Sequence, residues 1–235
     1  MQSNPENSPS PQANRCHLWY WRADNFRGLA DLIPLLGDDP DLTDFVEYLR
    51  LRERGLRKDA FKHLGRFIAV ARSWSLARRC EVVNRLMKLH DERPRVFDMI
   101  PTPLTRDLID PTLDEWMVHE PTNPVPFRWR GGTDNLRRAI ALDPRETIAR
   151  AKLIKRLLDE VAYATHELPS GYIGSAQDDI KTLDEVASLL TGSSLEETVV
   201  RSFGERLSGL RRVVQSYVSF LKSGSDKAYV DWISA

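Results

Sequence analysis

Apolar residues recur at steps of three and four along this chain, and that spacing places them on one face of an α-helix. Three such stripes are Phe61, Leu64, Ile68 and Ala71; Leu76, Cys80, Val83 and Met87; and Ala151, Ile154, Leu158, Val161 and Thr165. Leu153 and Leu157 widen the third stripe, so we expect that helix to pack against more than one neighbour. No window shows the alternating, β-branched pattern with hairpin turns that a sheet requires. The sequence therefore predicts an all-α fold of packed helical hairpins, as an irregular bundle or a short helical array.

Three Asp-Pro pairs predict where helices begin. They are Asp39-Pro40, Asp110-Pro111 and Asp143-Pro144. An aspartate carboxylate accepts hydrogen bonds from the free N–H groups of a first helical turn, and proline tolerates the first helical position. We therefore expect helices to start near residues 40, 111 and 144.

Serine and glycine mark further helix ends towards the C-terminus. Ser175 precedes Asp178 and Asp179, and Ser194 with Glu197 forms an S-x-x-E capping box that predicts a helix from Leu195 to about Leu221. Gly192 and Gly224 occupy positions where helices are expected to end.

Proline, glycine and serine divide the chain into predicted segments. Residues 1–15 are polar and rich in proline and serine, which predicts a disordered N-terminal tail. Residues 121–133 form a Pro/Gly-rich segment that predicts an ordered loop between a front helical part, 16–120, and a back helical part, 134–235. We expect the two parts to share one continuous core.

Charge is balanced overall but segregated along the chain. The 34 basic and 34 acidic side chains cancel. Residues 31–47 hold six acidic and no basic side chains, residues 50–90 hold twelve basic and three acidic, and residues 91–120 hold three basic and eight acidic. Net charges of −6, +9 and −5 therefore follow one another.

The basic segment contains cations at helical spacing. Lys58, Lys62 and Arg66 are four residues apart, and Arg72 and Arg79 are seven apart. One interpretation is a ridge for an anionic partner, either a phosphate backbone or an acidic protein surface. The other is that the flanking acidic segments fold back and pair with these cations, and the adjacent matching charge favours it.

One short segment resembles a known repeat family. In LRRAIALDP, the residues Leu136, Ala139, Ile140, Leu142 and Pro144 fill the positions that close the second helix of a tetratricopeptide repeat. The resemblance covers these nine residues only, since Arg150, Leu153 and Ile154 occupy the following positions where the family has an aromatic residue, leucine and glycine. It implies stacked helical hairpins with a protein-binding groove.

The sequence offers few signs of metal, cofactor or membrane chemistry. The two cysteines, Cys16 and Cys80, lie far apart, and the five histidines form no HxxxH or HExxH pair. There is no P-loop, GxGxxG or GxSxG motif, and no apolar run approaches the roughly 18 residues that span a bilayer. We therefore expect no metal, no cofactor and no membrane span, and a reduced, cytoplasmic setting.

The best candidate for acid–base chemistry lies in YATHELPSGYIG, residues 163–174. His166 could titrate near neutral pH, with Glu167 beside it and Tyr172 close by. Adjacent helical side chains diverge by roughly 100°, so His166 and Glu167 are not expected to meet. We predict a helix-to-helix connection in which Tyr172 and Ile173 are anchored in the core.

These patterns lead to three functional hypotheses. The leading one is a non-enzymatic protein-interaction module, an adaptor, regulator or immunity-type inhibitor, that presents a charged helical face to another macromolecule. Its partner-binding residues would be Lys58, Lys62, Arg66, Arg72, Arg79, His166, Glu167 and Tyr172. The alternatives are a nucleic-acid-binding protein that uses residues 50–90, and an enzyme with a site near His166.

Overall fold

The computed structural model describes residues 26–36, 38–93, 96 and 98–234. They form two compact units: one runs to Val70 and includes Leu89–Pro101, and the other comprises Ala71–Lys88 and Thr102–Ala235. The division therefore lies at other positions than the predicted boundary at 121–133, because the chain leaves the first unit after Val70 and returns to it at Leu89. The predicted tail, 1–15, lies outside the described residues.

Every regular element in the described residues is helical, which confirms the all-α prediction. The first unit contains short 3-10 turns at Ala30–Leu32 and Pro40–Leu42, with α1 (Ile33–Leu36), α2 (Thr43–Glu53), all but the last residue of α3 (Arg57–Ala71) and the end of α4 (Leu76–Glu92). The second unit contains the rest of α4, α5 (Thr102–Leu104), α6 (Asp110–His119), α7 (Pro124–Arg130), α8 (Thr133–Leu142), α9 (Thr147–Thr165), α10 (Ala176–Leu190), α11 (Glu197–Ser223) and α12 (Tyr229–Ile233).

Aromatic residues of α2 and α3 make the core of the first unit. The ring of Phe45 lies 5.2 Å from that of Phe67 and 5.8 Å from that of Tyr48, and all three side chains are buried. Leu64 and Ile68 of the predicted α3 stripe are buried as well. Burial of each side chain of this size contributes about 1.5–3 kcal/mol to the stability of the fold, so this face of α3 packs it firmly into the first unit.

The core of the second unit surrounds α9. Leu153, Ile154, Leu157 and Leu158 are all buried, and α9 packs against α8, α10 and α11. The broad stripe predicted from the sequence is confirmed, because a helix with three neighbours must present apolar side chains on more than one side. The tetratricopeptide-like nonapeptide covers the end of α8 and its connection to α9, and the family likeness itself stays a prediction.

The three Asp-Pro pairs behave differently from one another. Asp39 accepts a hydrogen bond from the N–H of Asp41 and starts the 3-10 turn that leads into α2, as predicted. Asp110 is not a helix start, because a π-helical turn at Thr105–Ile109 joins α5 to α6 without a break. Asp143 caps only a turn through the N–H of Arg145, and α9 begins after Glu146, whose carboxylate accepts from the N–H of Ala149.

Capping predictions near the C-terminus were correct at α10 and wrong at α11. Ser175 accepts a hydrogen bond from the N–H of Asp178 at the start of α10. The S-x-x-E box does not form, since α11 begins at Glu197 after Glu196, which makes no side-chain cap. The helix therefore starts two residues later than the predicted Leu195.

The predicted loop 121–133 contains a short helix, α7. Asn123 caps it through the N–H of Val125, and Pro124 occupies its first position, where its missing N–H is not needed. Trp129 is buried and donates its indole N–H to Oδ1 of Asn84 at 2.7 Å. These contacts hold a Pro-rich segment in helical form.

Candidate interaction surface

The predicted basic residues of α3 lie on its exposed side, and most of them are paired. Nζ of Lys62 lies 2.8 Å from Oδ1 of Asp59, and Nη2 of Arg66 lies 3.0 Å from Oδ1 of Asp44. Asp44 belongs to the acidic segment 31–47, so the fold-back interpretation holds for Arg66. Lys58 is exposed and makes no ion pair with another described residue.

The other two predicted cations belong to the second unit. Nη2 of Arg79 lies 2.8 Å from Oε2 of Glu115, and this arginine is largely buried. Arg72 is exposed, and its charge helps to lower the pKa of Asp107, where a hydrogen bond from Arg106 is the main cause. Arg79 therefore has a structural partner and does not face solvent as a free cation.

The Asp44 cluster makes the first unit sensitive to acid. A hydrogen bond from Arg66, together with one from His63, keeps the pKa of Asp44 below 3.8 in the folded state. Its stabilising contribution is therefore present above pH 3.8 and is lost as the pH falls through the folded-state pKa. We expect Asp44→Asn to lower stability at pH 7 by less than about 1 kcal/mol, since the pair is partly exposed.

Urea unfolding at pH 7 and at pH 2.5 measures this contribution. The difference between wild type and Asp44→Asn should shrink at the lower pH, and Asp38→Asn, an exposed carboxylate of the same unit, is the control. If the stability difference between wild type and Asp44→Asn is the same at both pH values, Asp44 does not have the proposed role.

The turn between α2 and α3 has a glycine-dependent geometry. Gly55 has φ +78°, and its N–H donates to the carbonyl of Arg52 at 3.0 Å. The N–H of Leu56 donates to the carbonyl of Leu51 at 2.9 Å, which completes the hydrogen-bond pair of a Schellman motif. The leucine that follows the glycine in this motif often packs back on its helix, but Leu56 is 42% exposed.

Cations precede and follow this exposed leucine in the sequence. Arg54, Arg57 and Lys58 are all exposed, and none of them forms an ion pair with another residue in the described part of the chain. The guanidinium of Arg57 lies 5.6 Å from the ring centre of Phe61. We call Arg54, Leu56, Arg57 and Lys58 the cationic corner.

Comparison with family models, curated proteins and solved structures gives no match. Within the described residues no helix is long and apolar enough to cross a membrane. The same residues contain no group of three or more histidine, cysteine or carboxylate side chains that could hold a metal ion.

His166 and Glu167 meet, contrary to the expectation that they diverge. Nε2 of His166 lies 2.8 Å from Oε1 of Glu167, because α9 ends at Thr165 and both residues lie in the turn beyond it. The other ring nitrogen of His166 lies 2.5 Å from the carbonyl of Tyr163, and the two rings are stacked at 4.8 Å. Both His166 and Glu167 are exposed, and their side chains pair with each other at the surface.

Tyr172 is anchored in the core, as predicted, and Ile173 is not. The Tyr172 ring is stacked on Tyr217 at 4.7 Å, and its hydroxyl donates to Oδ2 of Asp179. Burial is the main cause that raises the pKa values of both Tyr172 and Asp179. Ile173 is exposed, and its N–H donates to the carbonyl of Ala164, so its backbone rather than its side chain ties the connection to α9.

The sequence analysis missed three members of the cationic corner: Arg54, Leu56 and Arg57. The signal was the stretch RERGLRK, residues 52–58, in which basic residues flank a glycine and a leucine. A glycine after a predicted helix indicates a C-cap, and a basic residue on each side of the glycine–leucine pair indicates a surface turn.

Proposed function

We propose that this protein is a non-enzymatic interaction module that binds an acidic surface of another protein through the cationic corner, in a cytoplasmic setting. The observation that carries the proposal is an exposed leucine among three exposed cations that lack ion-pair partners in the described residues. An adaptor, a regulator and an immunity-type inhibitor are all consistent with this arrangement.

Two cations of the cationic corner lie at the end of α3 where the helix dipole is unfavourable for positive charge. Arg57 and Lys58 occupy the first turn of α3, where the helix dipole favours negative charge. Each cation at that end typically costs about 0.3–1 kcal/mol, and Asp59 offsets only part of this. Cations that disfavour the start of a helix and form no ion pair within the described residues support a binding role.

Leu56 and the nearby carboxylates favour a protein partner over nucleic acid. An exposed apolar side chain gains from burial against another protein, whereas a phosphate backbone offers it little. Asp59 pairs with Lys62, and Asp44 pairs with Arg66, so carboxylates interrupt the row of cations that phosphates would follow. Binding to nucleic acid depends mainly on an uninterrupted basic surface.

Affinity capture from the source cells, with nuclease-treated lysate, tests the proposal. We expect a specific protein to bind the wild-type chain at low salt and to be lost with the triple variant Arg54→Glu, Arg57→Glu, Lys58→Glu. Its affinity should fall with rising salt, because the contacts are charged and solvent-exposed. Leu56→Ser should weaken binding at every salt concentration.

A second triple variant with the same change in charge provides the control. Arg138, Lys222 and Lys227 are exposed cations of the second unit without ion pairs among the described residues, and their replacement by glutamate should leave capture unchanged. If both triple variants capture the partner equally well, the cationic corner is not the binding surface. If the wild-type chain binds DNA or RNA oligonucleotides and the triple corner variant does not, the partner is nucleic acid and the proposal of a protein partner is wrong.

A further inference from the structure

An open apolar cleft of about 360 Å³ lies in the second unit, and none of its lining residues belongs to the cationic corner. The residues that line it are Leu168, Pro169, Arg212, Val213, Ser216, Tyr229 and Ile233. Two of these residues belong to the connection between α9 and α10, three to α11 and two to α12. Three separate segments of chain therefore build it.

Aromatic contacts hold α12 in the position that forms the cleft. Tyr229 is buried edge-on against Tyr217 at 5.1 Å, and its hydroxyl donates to Oγ of Ser216 at 3.0 Å. Trp232 lies 5.8 Å from Phe220 on α11. Contacts of this kind orient a short helix that has too few residues to be stable alone.

Apolar side chains in and beside the cleft are left exposed. Val213 is 39% exposed and Ile233 is 50% exposed, and both line the cleft. Val230 is 43% exposed and lies one helical turn before Ile233, so it extends the apolar surface along α12. A contiguous exposed apolar surface of this kind marks an interaction site more often than scattered single residues do.

Among the described residues that line this cleft, Arg212 is the one that carries a formal charge. It is exposed and has no ion-pair partner in the part of the chain that the structure describes. Its neighbour Arg211, in contrast, lies 2.8 Å from Oδ1 of Asp184. A ligand that fills the cleft and complements its charge therefore combines an apolar group with an anion.

We propose that the cleft binds a peptide segment of a partner protein in which a large apolar residue lies next to an aspartate or glutamate. The apolar side chain enters between Val213 and Ile233, and the carboxylate pairs with the Arg212 guanidinium. Val230 favours a peptide over a small free acid, because it offers apolar contact beyond the cleft itself. This second site is independent of the cationic corner and differs from it in chemistry.

Selection of a random-peptide library on the full chain tests this proposal, followed by affinity measurements on the selected peptides by fluorescence anisotropy. We expect enrichment of an aromatic or aliphatic residue beside Asp or Glu. Arg212→Glu should lower the affinity for these peptides about tenfold or more. Peptides that carry lysine in place of the acidic residue should regain affinity for that variant. Val213→Asp should abolish binding of both peptide forms.

Matched variants separate this site from the cationic corner and from loss of folding. Arg138→Glu and the triple corner variant should bind the selected peptides like the wild type, and Val213→Asp should keep its circular dichroism spectrum because Val213 lies at the surface. The proposal is wrong if the selected peptides bind Arg212→Glu and Val213→Asp as tightly as the wild type, or if no peptide is enriched. It is equally wrong if sedimentation shows a homodimer that Val213→Asp dissociates, since a second copy would then cover the cleft.

Discussion

Replacing Arg128 by alanine is expected to lower the free energy of unfolding of the second unit by about 3–5 kcal/mol. Nη1 of Arg128 lies 2.9 Å from Oε2 of Glu146, and the side chains are only 14% and 7% exposed. Without Arg128, the buried carboxylate of Glu146 keeps a single weak hydrogen bond, from the N–H of Ala149 at 3.5 Å. A buried charge without a partner is among the most destabilising changes in a core.

Hydrogen exchange of α9 amides and urea unfolding measure this effect. Arg145→Ala is the matched control, because Arg145 is exposed and lies 3.6 Å from Asp143 beside the same connection. We expect that control to change stability by less than about 0.5 kcal/mol. The double variant Arg128→Met, Glu146→Leu should be closer to the wild type than Arg128→Ala, and an Arg128→Ala protein as stable as Arg145→Ala would disprove the role of the pair.

Replacing Asp98 by alanine is expected to destabilise the first unit by a similar amount, about 3–5 kcal/mol. The carboxylate of Asp98 accepts a hydrogen bond from Nε of the buried Arg52, and its carbonyl accepts one from the Tyr48 hydroxyl at 2.6 Å. The Arg52 guanidinium also lies 4.1 Å from the ring centre of Phe26. Loss of the carboxylate removes this ion pair from the buried guanidinium.

The expected destabilisation of Asp98→Ala has two parts, backbone strain at residue 98 and loss of the ion pair with Arg52. The φ of Asp98, +65°, lies in the left-handed region, which glycine adopts freely and which costs alanine about 1–2 kcal/mol. The free energy of unfolding of Asp98→Gly should therefore be about 1–2 kcal/mol higher than that of Asp98→Ala. The remaining difference between Asp98→Gly and the wild type is then the loss of the ion pair. Unfolding curves for both variants measure this difference, and an Asp98→Gly protein as stable as the wild type would show that Arg52 does not need the carboxylate.

Local patterns in the sequence were enough to predict the longer helices but not all of their ends, and they predicted a loop where α7 forms. The stripe through Leu153 and Leu158 predicted α9 because the positions of apolar residues depend only on helical geometry. Asp110-Pro111 failed as a start signal because the π-helical turn before it lets the chain stay helical. Ser194 does not cap α11, because that helix begins at Glu197, two residues later than the predicted Leu195.

The candidate surface depended on contacts that the sequence does not contain. Lys58, Lys62 and Arg66 have the same spacing and residue type, yet Arg66 pairs with Asp44 and Lys58 makes no such pair. Which cation finds a partner is decided by the packing of α2 against α3. The exposure of Leu56 depends in the same way on the turn at Gly55, where a leucine would ordinarily pack on its own helix.

The most direct test of the account compares partner affinity and thermal stability in the variant Arg54→Glu, Arg57→Glu, Lys58→Glu. We predict that its affinity for the captured partner falls at least about tenfold. Its Tm should change little, because glutamate at positions 57 and 58 agrees with the dipole at the start of α3, whereas glutamate at position 54 opposes the dipole at the end of α2. A variant that binds the partner with wild-type affinity would contradict the assignment of the cationic corner as the interaction surface.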